Sequence, residues 1–410
     1  MSKELPRLAA WIAIAGSVSA AGAGPPACPQ YTVEVIQAAP CGFSVDPLTV
    51  GTGIAGGTVV GYYDVCFTSK ERAFVADVAG GFLTLPLLPG FVSMQAWGVN
   101  DGGDVVGWLE TSTRVKHPFL YSGGVVAELP IPAGFSGSQA LRLNNAGTIV
   151  GASFAPSAPE PTVWVGGSPM QLKFLTGPAG EAADVNDLGQ VVGWTGSSAT
   201  LSSSAFMLQL GTGRVTDLGH LPDGTGAAVA INESGGIVGW GIMPDPGSHT
   251  GDTTRGIRWS GGRMVILEPL PGFGRSGAWD INDHGEIVGY CWDGSPSGNA
   301  QAGFIWRAGV MTSLDDLIPP ESGVSVKVAY AIDDEGRITG LAEDFRGDVI
   351  AVRLTPIPSI QGDLNRDDVV DAADLAILLG AWGLPGTADL DASGAVDSAD
   401  LGLLLGNWTG

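Results

Sequence analysis

This sequence predicts an all-β body, a seven-bladed β-propeller closed by an N-terminal strand, joined to a small all-α module of paired EF-hand-like loops. Three observations predict it. One motif recurs seven times between residues 31 and 355, at intervals of 42 to 51 residues. Each copy reads as two hairpins, hence four strands, which is the content of a propeller blade. Residues 362–410 then carry two acidic loops in register, each running into a short apolar helix.

The chain opens on Lys3 and Arg7, an apolar stretch from Leu8 to Ala15, and small residues offering cleavage sites at Val18-Ser19-Ala20 and Ala21-Gly22-Ala23. That is the layout of a cleaved secretory signal over 1–23. A retained anchor is the other reading, but the stretch is short for a bilayer. No other segment reads as transmembrane, so the expected location is extracellular or at the cell surface, with no membrane span after cleavage. The net charge of −23, with only 19 Lys and Arg, excludes a nucleic-acid partner, which needs clustered cations against phosphate. Hydrophobic residues make up 44% and charged residues 15%, which excludes a disordered chain. Four cysteines (Cys28, Cys41, Cys66, Cys291) fit neither a redox pair nor a zinc site. Three pairings are open, and Cys41–Cys66 is preferred because both follow strands that emerge on the same face.

The motif is clearest in Ala228-Val-Ala-Ile-Asn-Glu-Ser-Gly-Gly-Ile-Val-Gly239 and Ala278-Trp-Asp-Ile-Asn-Asp-His-Gly-Glu-Ile-Val-Gly289. A short apolar strand ends at Asn, a turn of the Asn-Asp-x-Gly type reverses the chain, and Ile-Val-Gly starts the return. Asn and Asp bond their own backbone in such turns, and Gly takes the φ > 0 position. A second hairpin follows, as in Gly256-Ile-Arg-Trp-Ser-Gly-Gly-Arg-Met-Val-Ile-Leu267. The last unit stops after its third strand, near 349–354, while Tyr31-Thr-Val-Glu-Val-Ile36 stands unattached ahead of the first. Placing that strand as the fourth of blade seven removes both exposed edges. An open solenoid is the runner-up, but its coils are usually shorter and poorer in hairpins.

The repeated Ala-x-x-Ile-Asn-x-x-Gly-x-Ile-Val-Gly, with a later strand reading Ala73-Phe74, Pro118-Phe119, Ala205-Phe206 and Gly303-Phe304, resembles the HAF family of extracellular repeats. The His of that signature is missing throughout. The resemblance spans roughly 31–355 and implies export and a propeller-like fold; it brings no established activity.

After a linker over 356–361, the module at 362–410 places oxygen donors at positions 1, 3, 5, 9 and 12 of two twelve-residue loops. These are Asp363, Asn365, Asp367, Asp371 and Asp374, then Asp389, Asp391, Ser393, Asp397 and Asp400, with Val369 and Ala395 supplying carbonyls at position 7. That is EF-hand spacing, and each loop can hold one Ca²⁺, two ions in all. Leu375, Leu378, Leu379 and Trp382 form an apolar face repeated by Leu401, Leu404, Leu405 and Trp408, so the two halves are expected to pack together. Nine Asp against one Arg repel without metal, which makes folding calcium-dependent. The pattern resembles type I dockerin domains, which implies docking onto a cohesin-like or other surface receptor. Asp368 stands where Gly is usual, and the recognition positions read Ala372-Ala373 and Ser398-Ala399, so calcium binding carries over better than the usual receptor.

No catalytic residue is assigned. The histidines sit at non-equivalent positions, with His284 at the exposed site of a turn, and neither a Gly-x-Ser-x-Gly nor a His-Glu-x-x-His is present. Tyr62, Trp108, Trp194, Trp240 and Tyr290 each follow a Val-Gly and would form a circle at one level. Such a circle serves inter-blade packing or a ligand face for a glycan or protein. The expected function is an exported, non-catalytic binding and display protein attached through its calcium module. The alternative is a polysaccharide hydrolase or lyase delivered by that module.

Overall fold

The computed structural model describes residues 30–38, 48–66, 68–156, 158–172, 179–197, 202–222, 224–245, 251–293, 300–357, 362–364, 369–384, 388–391, 393 and 395–409. The predicted leader, Cys28, Cys41, Asn365 and Asp367 lie outside those residues. Seven four-stranded antiparallel sheets follow one another along the chain. Blades one to six run over 49–84, 91–128, 137–171, 179–219, 227–267 and 275–313. Blade seven combines Val324–Ile332, Ile338–Asp344 and Val349–Pro356 with the N-terminal strand Tyr31–Ile36, which pairs antiparallel on its outside. The first strands of neighbouring blades pack on one another around the axis.

A kink in the inner strand explains why every copy needs its Val-Gly. In blade five the pairing of the first two strands shifts register between Ala228 and Ala230, leaving Val229 as an extra residue. Blades two, three, four and six bulge at Trp97, Leu141, Ala183 and Trp279. A bulge swings a backbone carbonyl toward the partner strand. A Cβ on Gly239 would lie 2.0 Å from the carbonyl oxygen of Ala227, and one on Gly289 only 2.1 Å from that of Gly277. Glycine alone fits there.

Blades are tied at the turn end by asparagine. Within a blade, Asn232 Oδ1 accepts the N–H of Gly236 at 2.7 Å and so closes its own turn. Its Nδ2 donates to the carbonyl of Asn282 in the next blade at 2.8 Å. The same bond runs from Asn100 to Asn144, Asn144 to Asn186, Asn186 to Asn232 and Asn282 to Asp333. All these side chains are buried. At the seam with blade one, where Ala55 replaces the asparagine, an N–H is offered instead, and Asp333 accepts it from Gly57 at 2.9 Å. Arg337 Nε pairs with that carboxylate at 2.8 Å. Arg353, 2% exposed, completes the seam by donating to the Gly57 and Asp77 carbonyls of blade one and pairing with Glu34 of the N-terminal strand. Apolar contact supports it, with Ile36, Ala331 and Ala351 packed on Ile54, Val59 and Phe74.

The C-terminal module has two helices, α1 (Ala372–Gly380) and α2 (Ser398–Gly406). Both begin on a capping box: Asp371 with Asp374, and Asp397 with Asp400. Val370, Leu378, Ala388, Val396 and Leu404 form the core. The expected apolar face buries only in part, since Leu379 and Leu405 are 52% and 51% exposed, and Trp382 and Trp408 are 46% and 38% exposed. The tryptophans lie past the helix ends, where helical spacing no longer places them. Leu379 sits about 100° around the helix from Leu378 and misses the contact stripe. Backbone pairing is reciprocal, with Val370 bonded to Thr409 and Val396 to Gly383 and Leu384.

Asn232→Ala would leave the buried Gly236 N–H without its partner and remove one of the two bonds to the Asn282 carbonyl, at a cost of roughly 1–3 kcal/mol. The expected outcome is a lower guanidinium midpoint for the propeller; an unchanged midpoint would contradict the inter-blade role.

Candidate functional site

Two ends of the ring differ in chemistry. At the turn end, the residue after each asparagine lines a cavity of 330 Å³. Here Asp187, Glu233, Asp283 and Asp334 stand in sequence, each accepting the backbone N–H of its counterpart in the preceding blade at 2.7–2.8 Å. The acidic mouth is thus a second hydrogen-bonded girdle above the asparagines. His284 is exposed beside it.

Deeper inside, three charged side chains share one register, the residue two before the asparagine. Arg142 donates to the Trp97 carbonyl at 2.7 Å and reaches the Thr52 carbonyl at 3.5 Å. Asp184 and Asp280 accept the N–H groups of Ile231 and Ile332 from the following blades, both at 2.9 Å. Burial pushes the Asp280 carboxyl up to about 7, with Arg142 opposing and Asp184 reinforcing the shift. Asp184 and Glu181 are raised by burial too.

The predicted aromatics lie toward the other end, on second strands opposite the residues that precede the bulges. Tyr62 faces Val50, Trp108 faces Gln95, Trp194 faces Glu181, Trp240 faces Ala227 and Tyr290 faces Gly277. They share a level but fall into separate groups. Trp108 stacks on Trp97 at 5.1 Å and carries the Lys116 ammonium 3.7 Å over its ring. Lys116 continues to Gln139, and Gln139 to Glu181, both at 3.1 Å, making a polar arc over blades two to four. Burial pushes the Tyr62 phenol up to about 12, and the nearby Tyr330 adds to the shift. Trp240 and Tyr290 meet Trp279 and Trp292 around a cavity of 220 Å³. Trp97, Trp279, Arg142, Asp184 and Asp280 are functional candidates that motif reading passed over. Their signal was present as departures from the repeat at the bulge and the residue after it.

In the second acidic loop, donor atoms of Asp389, Asp391 and Asp400 lie within 4.8 Å of one another, close enough to share a single cation. The Asp397 backbone N–H, helped by those of Asp391 and Leu390, holds the Asp400 carboxyl below the usual carboxylate range against its desolvation. A permanently ionised oxygen at loop position 12 suits a hard divalent ion. In the first loop, Asp374 accepts N–H groups from Leu364 at 2.6 Å and Asp371 at 3.0 Å, matching Asp400. Asp363, Val369 and Asp371 also belong to the described part of that loop, whereas Asn365 and Asp367 do not. Cys66 is disulfide-bonded and Cys291 is free and buried. Among the described residues, no helix is long and apolar enough to cross a membrane.

Fold and site together define a seven-bladed β-propeller with a duplicated acidic-loop module at its C-terminal side. Solved structures similar to it include YCF48 bound to D1 peptide, at 11% identity over 82% of this chain and 98% of that one, with a TM-score of 0.46. A structure from an analysis of two prolyl endopeptidases matches at 9% identity over 77% of this chain and 51% of that one, with a TM-score of 0.48. The β-propeller domain of the Trilobed protease from Pyrococcus furiosus matches at 9% identity over 77% and 84%, with a TM-score of 0.35. At such identities the likeness is one of fold. No protein-family model and no curated protein matches the chain.

The buried carboxyls set a direction for pH. Asp280 binds its proton more tightly folded than unfolded, so its contribution is fully present below about 3.8 and lost as pH rises to about 7. Asp184 and Glu181 act in the same sense. At fixed calcium, the urea midpoint of the propeller is expected to fall between pH 5 and pH 8. A midpoint that climbs over that range would contradict the burial of these groups.

Proposed function

We propose that this chain is an exported, non-catalytic binding and display protein, a HAF-type propeller whose C-terminal dockerin-like module attaches it to a cell surface or extracellular complex. The observation that carries the reading is the duplicated loop, with matching capping boxes, matching buried Asp374 and Asp400, and a converging set of carboxylates in the second copy. Asp389, Asp391 and Asp400, with Ser393 and the Ala395 carbonyl, would hold one Ca²⁺, and the equivalent first loop a second. Bound calcium would supply the charge that offsets the clustered aspartates. The module's own residues do the rest: the capping boxes orient the helices, and Leu378 and Leu404 join the halves.

Export is supported by the charged and apolar N-terminal sequence and by the disulfide at Cys66, a bond that lasts in oxidising compartments. The exposed Leu379, Trp382, Leu405 and Trp408 offer the module a receptor surface. The receptor is a cohesin-like or other surface protein, and the propeller is the cargo.

The full chain is expected to retain an envelope protein of its source cell in calcium and release it in chelator. Asp389→Ala together with Asp363→Ala should abolish retention while leaving the propeller folded. Retention that is indifferent to both calcium and these substitutions would sink the docking role.

A further inference from the structure

Blades two and six are built on the same plan at the aromatic end, but one side chain of that plan is missing from blade six. In blade two, Gln95 stands opposite Trp108, and its Oε1 accepts the indole N–H of the bulge residue Trp97 at 3.1 Å. In blade six the equivalent positions are Gly277, Tyr290 and Trp279. The glutamine is missing there. The indole Nε1 of Trp279 is buried and without a hydrogen-bond partner, and a cavity of 220 Å³ opens beside it. A buried donor left unpaired is costly, so a group that accepts from it is favoured to bind.

The cavity also specifies what surrounds that acceptor. Its lining is Trp240, Thr254, Gly277, Trp279, Tyr290 and Trp292, with no charged side chain. Tyr290 stacks on Trp292 at 4.8 Å and 23°, and on Trp279 at 6.4 Å and 16°. The aromatic side chains make the walls largely apolar, while Thr254 and Tyr290 contribute hydroxyls. A ligand with apolar faces and an uncharged hydroxylated rim satisfies both demands.

We infer that this cavity between blades five and six binds a sugar ring of a neutral glycan, with a ring or hydroxyl oxygen taking the place that the Gln95 amide oxygen holds in blade two. The inference rests on the reading of the propeller as a binding unit and names its ligand class. It also explains why this end of the ring departs from its own repeat: blades two, three and four fill the register with Gln95, Gln139 and Glu181, while blades five and six leave Ala227 and Gly277.

The test is calorimetric titration and tryptophan fluorescence of the full chain with cello-, xylo-, manno- and galacto-hexaose, and with tetramethylammonium as a cationic probe. At least one hexaose is expected to bind. Gly277→Gln, which restores the blade-two arrangement at a position where a Cβ meets only Trp292 at 3.7 Å, should weaken it about tenfold or more at an unchanged melting temperature. Trp279→Phe keeps a ring and removes the N–H, and should weaken binding severalfold even if the glutamine variant folds poorly. The inference is overturned if no hexaose binds, if binding ignores both variants, or if tetramethylammonium alone binds. Calcium-dependent retention by an envelope protein is measured separately, so failure of the glycan site leaves the docking role standing or falling on its own result.

Discussion

One side chain per blade holds the ring together. Each asparagine at the end of an inner strand spends its carbonyl oxygen on its own turn and its amide N–H on the next blade's backbone. The two demands explain why Asn recurs: an ionised Asp cannot donate, and a Ser hydroxyl carries donor and acceptor on one short arm, whereas the amide sets them on two separate atoms. The exception supports the rule. At the seam, where blade one offers an N–H, the residue is Asp333, and its charge is balanced by Arg337. With the inner strands pinned in this way, the bulge three residues earlier projects its extra residue at the same level, and the variable chemistry of the propeller is mounted there and on the residue that follows.

Much of the fold was legible because a repeat displays its own constraints. Six Val-Gly steps, the equivalent Thr339-Gly340 and the Asn turns mark the blades in the sequence. The glycines were read as turn chemistry, yet those of the Val-Gly steps are needed because a Cβ would strike the carbonyl of the bulged neighbour. That contact is between strands and leaves no local signature. The same holds for the asparagines, whose turn role was evident and whose partners in the next blade were not. In the C-terminal module the buried Leu378 and Leu404 follow the helical period, while Trp382 and Trp408 fall beyond the helices and stay exposed.

The candidate site was legible to a lesser degree. Tyr62, Trp108, Trp194, Trp240 and Tyr290 were recognisable from their shared place after Val-Gly. Their grouping depends on Gln95, Gly277, Trp97 and Trp279, residues whose importance appears only when one blade is compared with another in space. The side-chain chemistry varies most where symmetry fails: polar in blades two to four, aromatic and open between blades five and six. The acidic mouth at the opposite end follows the repeat closely, and its carboxylates are occupied in holding neighbouring turns.

The chain carries two units with separate chemistry, a propeller held by its own hydrogen bonds and a C-terminal acidic-loop module whose completion by calcium is the proposal at stake. Hydrogen exchange of the full chain, read peptide by peptide with and without calcium, tests this division most directly. Strong added protection over 362–410 with no change in the seven blades is the predicted result. Protection of the propeller by calcium, or a C-terminal module equally protected without it, would contradict the account.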